Sequence, residues 1–266
     1  MRHLVLAVVG LLVVATTGLA VDITTCDVQL RQNKEVGELR NDLVCPEASV
    51  ALVARGTTLN LNGYSITSTG AYAGVTVMSS GTIRGPGTIS AATYAIYAGG
   101  PRLRISDVEI RDSGGAITGD AYAEPDRGKV EASNLTIHDL AYGAIRAFRT
   151  VVGENVSIVR TGTAGGPPSL DAALGHAGIR ASKVKIDGLV ATDNAGFAVV
   201  ARSTSIRNGI LARNDVYVDG YDILTFRPPR VRDTTCSRSG RLDRDPLPSG
   251  ATSIAILEPW FVCSDD

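Results

Sequence analysis

The sequence is poor in the side chains that build aromatic cores and soft metal centres. Four Phe, eight Tyr and one Trp make up 5% of its 266 residues, beside three histidines and four cysteines. The core must therefore be built mainly from aliphatic residues. His138 and His176, the histidines beyond the N-terminal segment, have no metal-ligand partner at a suitable spacing, so no zinc-type site is expected.

An excess of charge of either sign is also lacking. The chain has 26 Lys and Arg residues against 27 Asp and Glu residues, which gives a net charge of −1. This balance gives no support for a nucleic-acid partner or for electrostatic binding to a membrane.

The apolar run near the N-terminus is too short to span a membrane. It extends over Leu4–Val14, 11 residues, whereas a bilayer span needs about 20. The basic residues Arg2 and His3 precede this run, and Gly18-Leu19-Ala20 follows it as a small-x-small cleavage site. We therefore predict a signal peptide over residues 1–20, no membrane span after its removal, and a secreted protein, extracellular or periplasmic.

Glycine, in contrast, is abundant, with 29 residues, and turn-forming residues recur at a regular spacing. An aliphatic column repeats at intervals of 23, 21, 27, 21, 33 and 21 residues: Ile66, Ile89, Ile110, Ile137, Ile158, Ala191 and Ala212. A turn former stands three residues before each member: Gly63, Pro86, Asp107, Asn134, Asn155, Gly188 and Gly209. A base period of about 21 residues with two insertions indicates a repeat architecture.

A second apolar column follows within each repeat: Val75, Ile96, Ile117, Ile145, Ile179 and Val199. Two residues later stands an apolar residue or glycine: Val77, Ala98, Gly119, Ala147, Ala181 and Ala201. Apolar residues two positions apart indicate a strand with one buried face. Because the period leaves no room for crossover helices, we predict an all-β fold. It is a right-handed single-stranded parallel β-helix of about seven to eight rungs, with strands stacked ~4.8 Å apart.

Two segments resemble secreted right-handed β-helix proteins related to pectate lyases. Asn62-Gly63-Tyr64-Ser65-Ile66 and the later segment GTIRGPGTI, residues 81–89, are similar to the opening of bacterial members. The resemblance covers roughly Asp42 to Gly220 and implies the pectate-lyase-like fold. That fold hosts lyases, hydrolases, epimerases and non-catalytic binders, so the resemblance does not decide the activity.

All four cysteines lie outside the repeat. Residues 21–50 and 222–266 are predicted to form N-terminal and C-terminal caps around a β-helix that spans residues 51–221. Seven rungs would separate the two ends by about 30 Å, whereas a disulfide requires Cα atoms within ~7 Å. We therefore predict the pairs Cys26–Cys45 and Cys236–Cys263, formed in an oxidising compartment, and we expect a monomer.

Two Gly- and Pro-rich insertions flank one outward strand face. They are Gly119–Gly128 and Thr161–His176, and they can carry function or simply be tolerated. The outward rows between them contain the candidate carbohydrate-binding residues, which are Tyr97, Arg146, Arg180, Phe148, Asp120 and His176. Guanidinium groups bind carboxylates and aromatic faces stack on sugar rings. The resemblance places a uronate-type ligand on this face, whereas the alternative is an ordinary solvated surface.

A catalytic constellation is harder to find. Calcium is a possible cofactor only through the acidic candidates Asp120, Glu124, Asp126 and Asp171. "GHAGI", residues 175–179, is similar to a segment of polygalacturonase-like hydrolases, but that family's Asp motifs are absent. Two functions therefore remain open. One is a non-catalytic protein that binds acidic polysaccharide or has a structural role at the cell surface. The other is a small calcium-dependent polysaccharide lyase.

Overall fold

The protein is all-β in the parts that the structure describes. The structure, a computed structural model, describes residues 20–47, 49–119, 128–163, 174–214, 221–243 and 255–262. The predicted signal peptide lies outside these ranges except for Ala20. None of the described residues belongs to a helix that is long and apolar enough to cross a membrane.

Every element with fully described bounds is a strand. In chain order they are β1 (Val21–Ile23), β2 (Gln29–Leu30), β3 (Val36–Leu39), β4 (Leu43–Cys45), β5 (Val50–Leu52), β6 (Thr57–Asn60), β7 (Ser65–Ser68), β8 (Ala73–Val77), β9 (Gly81–Arg84), β10 (Thr88–Ala91), β11 (Tyr94–Ala98), β12 (Arg102–Ser106), β13 (Glu109–Ser113), β14 (Gly115–Gly119), β15 (Lys129–Leu140), β16 (Ile145–Thr161), β17 (Ile179–Thr192), β18 (Val199–Ala212), β19 (Ile223–Thr225), β20 (Arg230–Thr235), β21 (Arg238–Leu242) and β22 (Ile256–Val262).

The strands pair in parallel with their equivalents one repeat away and form three stacks. Stack A contains β4, β7, β10, β13 and the last parts of β15–β18. Stack B contains β2, β5, β8, β11, β14, the first parts of β16–β18, β19 and β21. Stack C contains β1, β3, β6, β9, β12, the central or first parts of β15–β18, and β20. This long parallel sheet is compatible with the predicted β-helix.

The inward columns form the core. Ile66, Ile89, Ile110, Ile137, Ile158 and Ala191 pair in register and are fully buried. The prediction of Ala212 as the next member is wrong, because Ala191 pairs with Leu211 and the last interval is 20 residues. The column Val75–Val199 is paired as predicted, and it extends to Val50 and Ile223.

The corner between stacks C and A has a left-handed backbone. Asp107, Asn134 and Asn155 have φ of 58°, 48° and 51°, and their side chains join neighbouring repeats through Asn134 Nδ2 to Asp107 Oδ1 at 2.9 Å and Asn155 Nδ2 to Asn134 Oδ1 at 3.1 Å. The prediction of Gly209 as the turn residue of its repeat is off by one position, because the residue with a left-handed backbone there is Asn208. Asn tolerates this conformation because its short side chain can hydrogen-bond locally.

A second left-handed corner ends stack A, and the sequence analysis did not foresee it. Asp112, Asp139, Arg160, Asp193 and Arg213 all have φ between 49° and 57°. Arg160 donates to Asp139 at 2.6 and 2.9 Å, and Arg213 donates to Asp193 at 2.5 and 2.8 Å. Side-chain pairing between repeats therefore supports a backbone that most residues avoid.

Parallel pairing does not stop at the predicted ends of the helix. β1–β4 join the stacks within residues 21–50, and β19–β21 join them beyond residue 221. The last described strand, β22, pairs antiparallel with β21. The disulfide Cys26–Cys45 is confirmed, with Cα atoms 5.7 Å apart. Cys236 is also disulfide-bonded, but its predicted partner Cys263 lies outside the described residues.

A buried polar ladder connects the last repeats at the corner between stacks A and B. Thr161 donates to Asn194 Oδ1 through its amide and hydroxyl, at 3.0 and 2.9 Å. Asn194 Nδ2 donates to Asn214 Oδ1 at 2.8 Å, and Asn214 Nδ2 donates to Asp222 Oδ1 at 2.7 Å. Asp222 is fully buried, and its other oxygen accepts bonds from Ser237 at 2.6 and 2.9 Å. The ladder thereby satisfies polar groups that would be costly to bury alone.

Candidate functional site

The predicted outward row of stack B is present in the structure. Tyr97 pairs with Thr118, Thr118 with Arg146, and Arg146 with Arg180. Each step moves one strand along the sheet, about 4.8 Å. The two arginines therefore lie on neighbouring strands, and both are half-buried.

Tyr97 belongs to a cluster of three tyrosines. The Tyr72 ring lies edge-to-face against the rings of Tyr94 and Tyr97, with centroids 5.3 and 5.5 Å apart. Gly115 pairs with Tyr94, and a Cβ at Gly115 would come within 2.9 Å of the Tyr94 ring. The glycine thus gives the ring the space to lie flat on the sheet, and the cluster presents aromatic surface beside the arginine row.

Arg146 joins the tyrosine cluster to the arginine row. Its guanidinium lies 5.0 Å from the centroid of the Tyr94 ring and donates a hydrogen bond to the Tyr94 hydroxyl. A guanidinium over an aromatic face is attracted by the ring quadrupole and is held in one orientation. We call Tyr72, Tyr94, Tyr97, Arg146 and Arg180 the Tyr–Arg surface.

His176 lies at the border of this surface and is only 8% exposed. Its ring is 6.0 Å from that of Tyr142, and its Nδ1 atom has no hydrogen-bond partner. Burial, followed by the positive charge of Arg146, lowers the pKa of His176. The side chain is therefore neutral at pH 7 and can accept or donate a hydrogen bond without adding charge.

The remaining predicted site residues are only partly described. Phe148 pairs with Ala181 after a register shift that follows Arg146, so the predicted equivalence of Ala147 and Ala181 is wrong. The side chain of Phe148 and the residues Asp120, Glu124, Asp126 and Asp171 lie outside the described part of the structure. The calcium site that they would form stays a prediction. Elsewhere in the described ranges no group of three or more His, Cys, Asp or Glu residues could hold a metal ion.

Two positions of the predicted outward row are buried, so fewer of its side chains face solvent than the sequence indicated. Thr118 is 3% exposed and Val200 is fully buried. Val200 packs in a second apolar cluster with Phe197, Leu224 and Leu242. Residues from beyond the predicted helix thus cover the C-terminal part of the row, and this tertiary contact could not be seen in the repeat.

A groove of about 860 Å³ lies over stack C, not over the Tyr–Arg surface. Charged and hydroxyl side chains line it, among them Arg84, Glu154, Lys185 and Arg207. The sequence analysis missed it, although these residues recur at outward positions of the repeat.

His138 lies in a separate charged cluster on stack A. Its Nε2 atom is 2.8 Å from Glu109 Oε1 and its Nδ1 atom is 2.7 Å from Asp139 Oδ2. Burial opposes protonation of the ring, but the hydrogen bonds and charges of Asp139 and Glu109 outweigh it and raise the pKa of His138. The imidazolium is therefore the favoured form, held between two carboxylates.

This arrangement predicts a pH dependence of stability. Because the pKa of His138 is raised on folding, its contribution is complete below the unfolded value of about 6.5 and is lost as pH rises through the folded value. We expect the difference in unfolding free energy between wild type and His138→Gln to shrink as the pH rises above about 6.5. Urea unfolding of both proteins at several pH values measures this difference in unfolding free energy. The pKa of His176 is lowered, so its contribution to stability changes with pH in the opposite direction. Because His176 is present in both proteins, this contribution cancels in the difference. A difference that grows with pH would contradict the assignment.

Comparison of the chain with protein-family models, with curated proteins and with solved structures found no match.

Proposed function

We propose that the protein is a secreted, monomeric, right-handed parallel β-helix that binds an acidic polysaccharide through the Tyr–Arg surface. The sequence predicts about seven to eight rungs, and stack B contains ten strands within the described residues, because strands of both predicted caps join it. The right hand follows from the strong preference of parallel crossovers. The disulfide Cys26–Cys45 supports export, since such bonds persist in oxidising compartments.

The observation that carries the proposal is the adjacency of aromatic rings and guanidinium groups on one sheet. Tyr94 and Arg146 are in direct contact, and Arg180 lies one strand beyond Arg146. Sugar rings pack their apolar faces on aromatic rings, and guanidinium groups bind carboxylates in charge-assisted pairs. A linear polymer of uronate residues offers both features along its length. The alternative of a calcium-dependent lyase depends on acidic residues outside the described ranges.

We expect the variant Arg146→Gln/Arg180→Gln to bind polygalacturonate about 10-fold more weakly than wild type, because two charge-assisted contacts are lost. Isothermal titration calorimetry at low and at physiological salt measures this, and wild-type binding should weaken with salt. Arg31→Gln/Arg227→Gln, which changes the net charge equally at two exposed sites, serves as the control. Tyr97→Ala should weaken binding to acidic and neutral sugars alike, whereas Tyr64→Ala should not. Equal affinity of wild type and the Arg146/Arg180 variant would refute the site.

The same titration distinguishes binding from catalysis. Release of unsaturated uronate products from polygalacturonate, dependent on added calcium, would identify the lyase alternative. A stable heat signal without product formation supports the binding function.

A further inference from the structure

The groove over stack C has a concentration of positive charge that the composition conceals. On its N-terminal side Arg102, Arg104 and Lys129 surround Glu131, with N···O distances of 2.5, 2.9 and 2.6 Å. Burial opposes ionisation of Glu131, but hydrogen bonds from these three cations outweigh it and lower its pKa to about 2. Three positive charges are thus fixed around one negative charge, with a surplus of two.

The other charges of these outward rows add to the surplus. Arg84, Lys183, Lys185 and Arg207 stand against Glu154 and Asp187. Among the residues that line the groove, four cations (Arg84, Arg104, Lys185 and Arg207) stand against three anions (Glu131, Glu154 and Asp187), so the lining has a net charge of +1 in a chain whose net charge is −1. The potential of this face is therefore opposite in sign to that of the whole protein.

Three of the cations that line the groove differ from those around Glu131. Arg84, Lys185 and Arg207 line the groove, are exposed, and form no ion pair with any residue that the structure describes. Arg84 and Arg207 occupy equivalent outward positions five strands apart, through Ser106, Ser133, Glu154 and Asp187. Five steps of ~4.8 Å separate them by about 24 Å. The free positive charges thus mark the two ends of an extended groove.

The side chains between these ends identify the chemistry of the occupant. Ser106 and Ser133 offer hydroxyl groups, and Glu154 and Asp187 offer carboxylate acceptors. Acceptors of this kind suit a ligand rich in hydroxyl groups, but they repel the dense phosphate charge of a nucleic acid. No aromatic residue is among the residues that line the groove, so bases would find no stacking platform there.

We propose that the groove over stack C is a second binding site, for a linear acidic polysaccharide whose sugar rings carry both carboxylate and hydroxyl groups. Its carboxylates pair with Arg84, Lys185 and Arg207, and its hydroxyl groups donate to Glu154 and Asp187. The site belongs to a different stack from the Tyr–Arg surface and is independent of it. Two polymer-binding faces on one rigid sheet allow the protein to bridge two polysaccharide chains.

The test uses the full secreted chain and calorimetric titration with oligogalacturonate, in wild type and in the Tyr97→Ala/Arg146→Gln/Arg180→Gln background. We expect Arg84→Gln/Lys185→Gln/Arg207→Gln to weaken binding about 10-fold in that background, where the Tyr–Arg surface no longer contributes. The matched control Arg31→Gln/Arg111→Gln/Arg227→Gln changes the net charge by the same amount outside the groove and should alter the affinity less than twofold. Because the background variant removes the other surface, failure of one site does not imply failure of the other.

Three results would overturn the assignment. One is equal binding by the groove variant and its control. Another is tighter binding of duplex DNA than of oligogalacturonate at the same salt concentration, lost in the groove variant, which would make nucleic acid the occupant. The third is a loss of binding that accompanies unfolding, detected as a lower melting temperature of the groove variant but not of the control.

Discussion

Replacing Asn214 with Ala should destabilise the protein by about 3–5 kcal/mol, because at least two buried polar groups lose their donor at ~1–3 kcal/mol each. Asn214 is 5% exposed and donates to Ala191 O at 2.8 Å and to Asp222 Oδ1 at 2.7 Å. Its own Oδ1 accepts a bond from Asn194 Nδ2. Alanine would leave these groups inside the protein without access to the water that could replace the amide.

The expected effect is large because Asp222 connects the ladder to the C-terminal segment. The backbone of Asp222 pairs with Val199 and Arg238, and its carboxylate accepts two bonds from Ser237. Loss of the hydrogen bond from Asn214 to the Asp222 carboxylate should therefore destabilise the contacts between β18 and the strands that follow it. Local loss of cooperativity would appear as a lower m value.

Urea unfolding measures the change, and Asn41→Ala is the control. Asn41 is exposed and its amide donates to Asp42 O at 2.7 Å, so its removal exposes the acceptor to water. We expect a cost within about 0.5 kcal/mol for Asn41→Ala. If the two alanine variants unfold at the same urea concentration, the ladder does not support the C-terminal repeats.

The inward columns could be predicted because the same burial requirement returns in every repeat. From Ile66 to Ile158, each isoleucine of the column pairs with another isoleucine one strand away. The same residue type therefore returns at the same inward position, and this regularity is visible in the sequence. The prediction was wrong at Ala212 because Ile210, Leu211 and Ala212 are three consecutive apolar residues, and the sequence does not show which of them points inward. The pairing of Ala191 with Leu211 shows which of them is inward, and Ile210 is half exposed.

Outward positions were harder to predict because each depends on distant segments. Arg146 and Arg180 were predicted to be neighbours, and they pair as expected. The contact of Arg146 with Tyr94 needs two side chains 52 residues apart to meet, and no local pattern requires it. The polar ladder did leave a signal, since Asn194 and Asn214 are 20 residues apart, one repeat. Asparagines at equivalent corner positions indicate such a ladder once the columns are aligned.

Removing the disulfide Cys26–Cys45 should cost about 3 kcal/mol, because the bond closes a loop in the unfolded chain. The two residues are 19 apart in sequence, and Cys45 is fully buried in β4. For a chain of this size the loss corresponds to a melting temperature lower by roughly 6–12 °C. Cys26→Ala/Cys45→Ala is the variant, since alanine adds no polar group to the core.

The disulfide lies at the N-terminal end of the three stacks, so its removal should also have a local effect. β1, β2 and β4 begin the stacks, and within the described residues each of them pairs with a neighbour on one side only. Without the disulfide these strands should open first, and limited proteolysis should cut residues 20–47 before any other part of the chain. Val44→Ala is the matched control, because Val44 lies beside Cys45 on β4 and is 69% exposed. Equal melting temperatures and equal cleavage of the two variants would show that the N-terminal strands are held by their pairing alone.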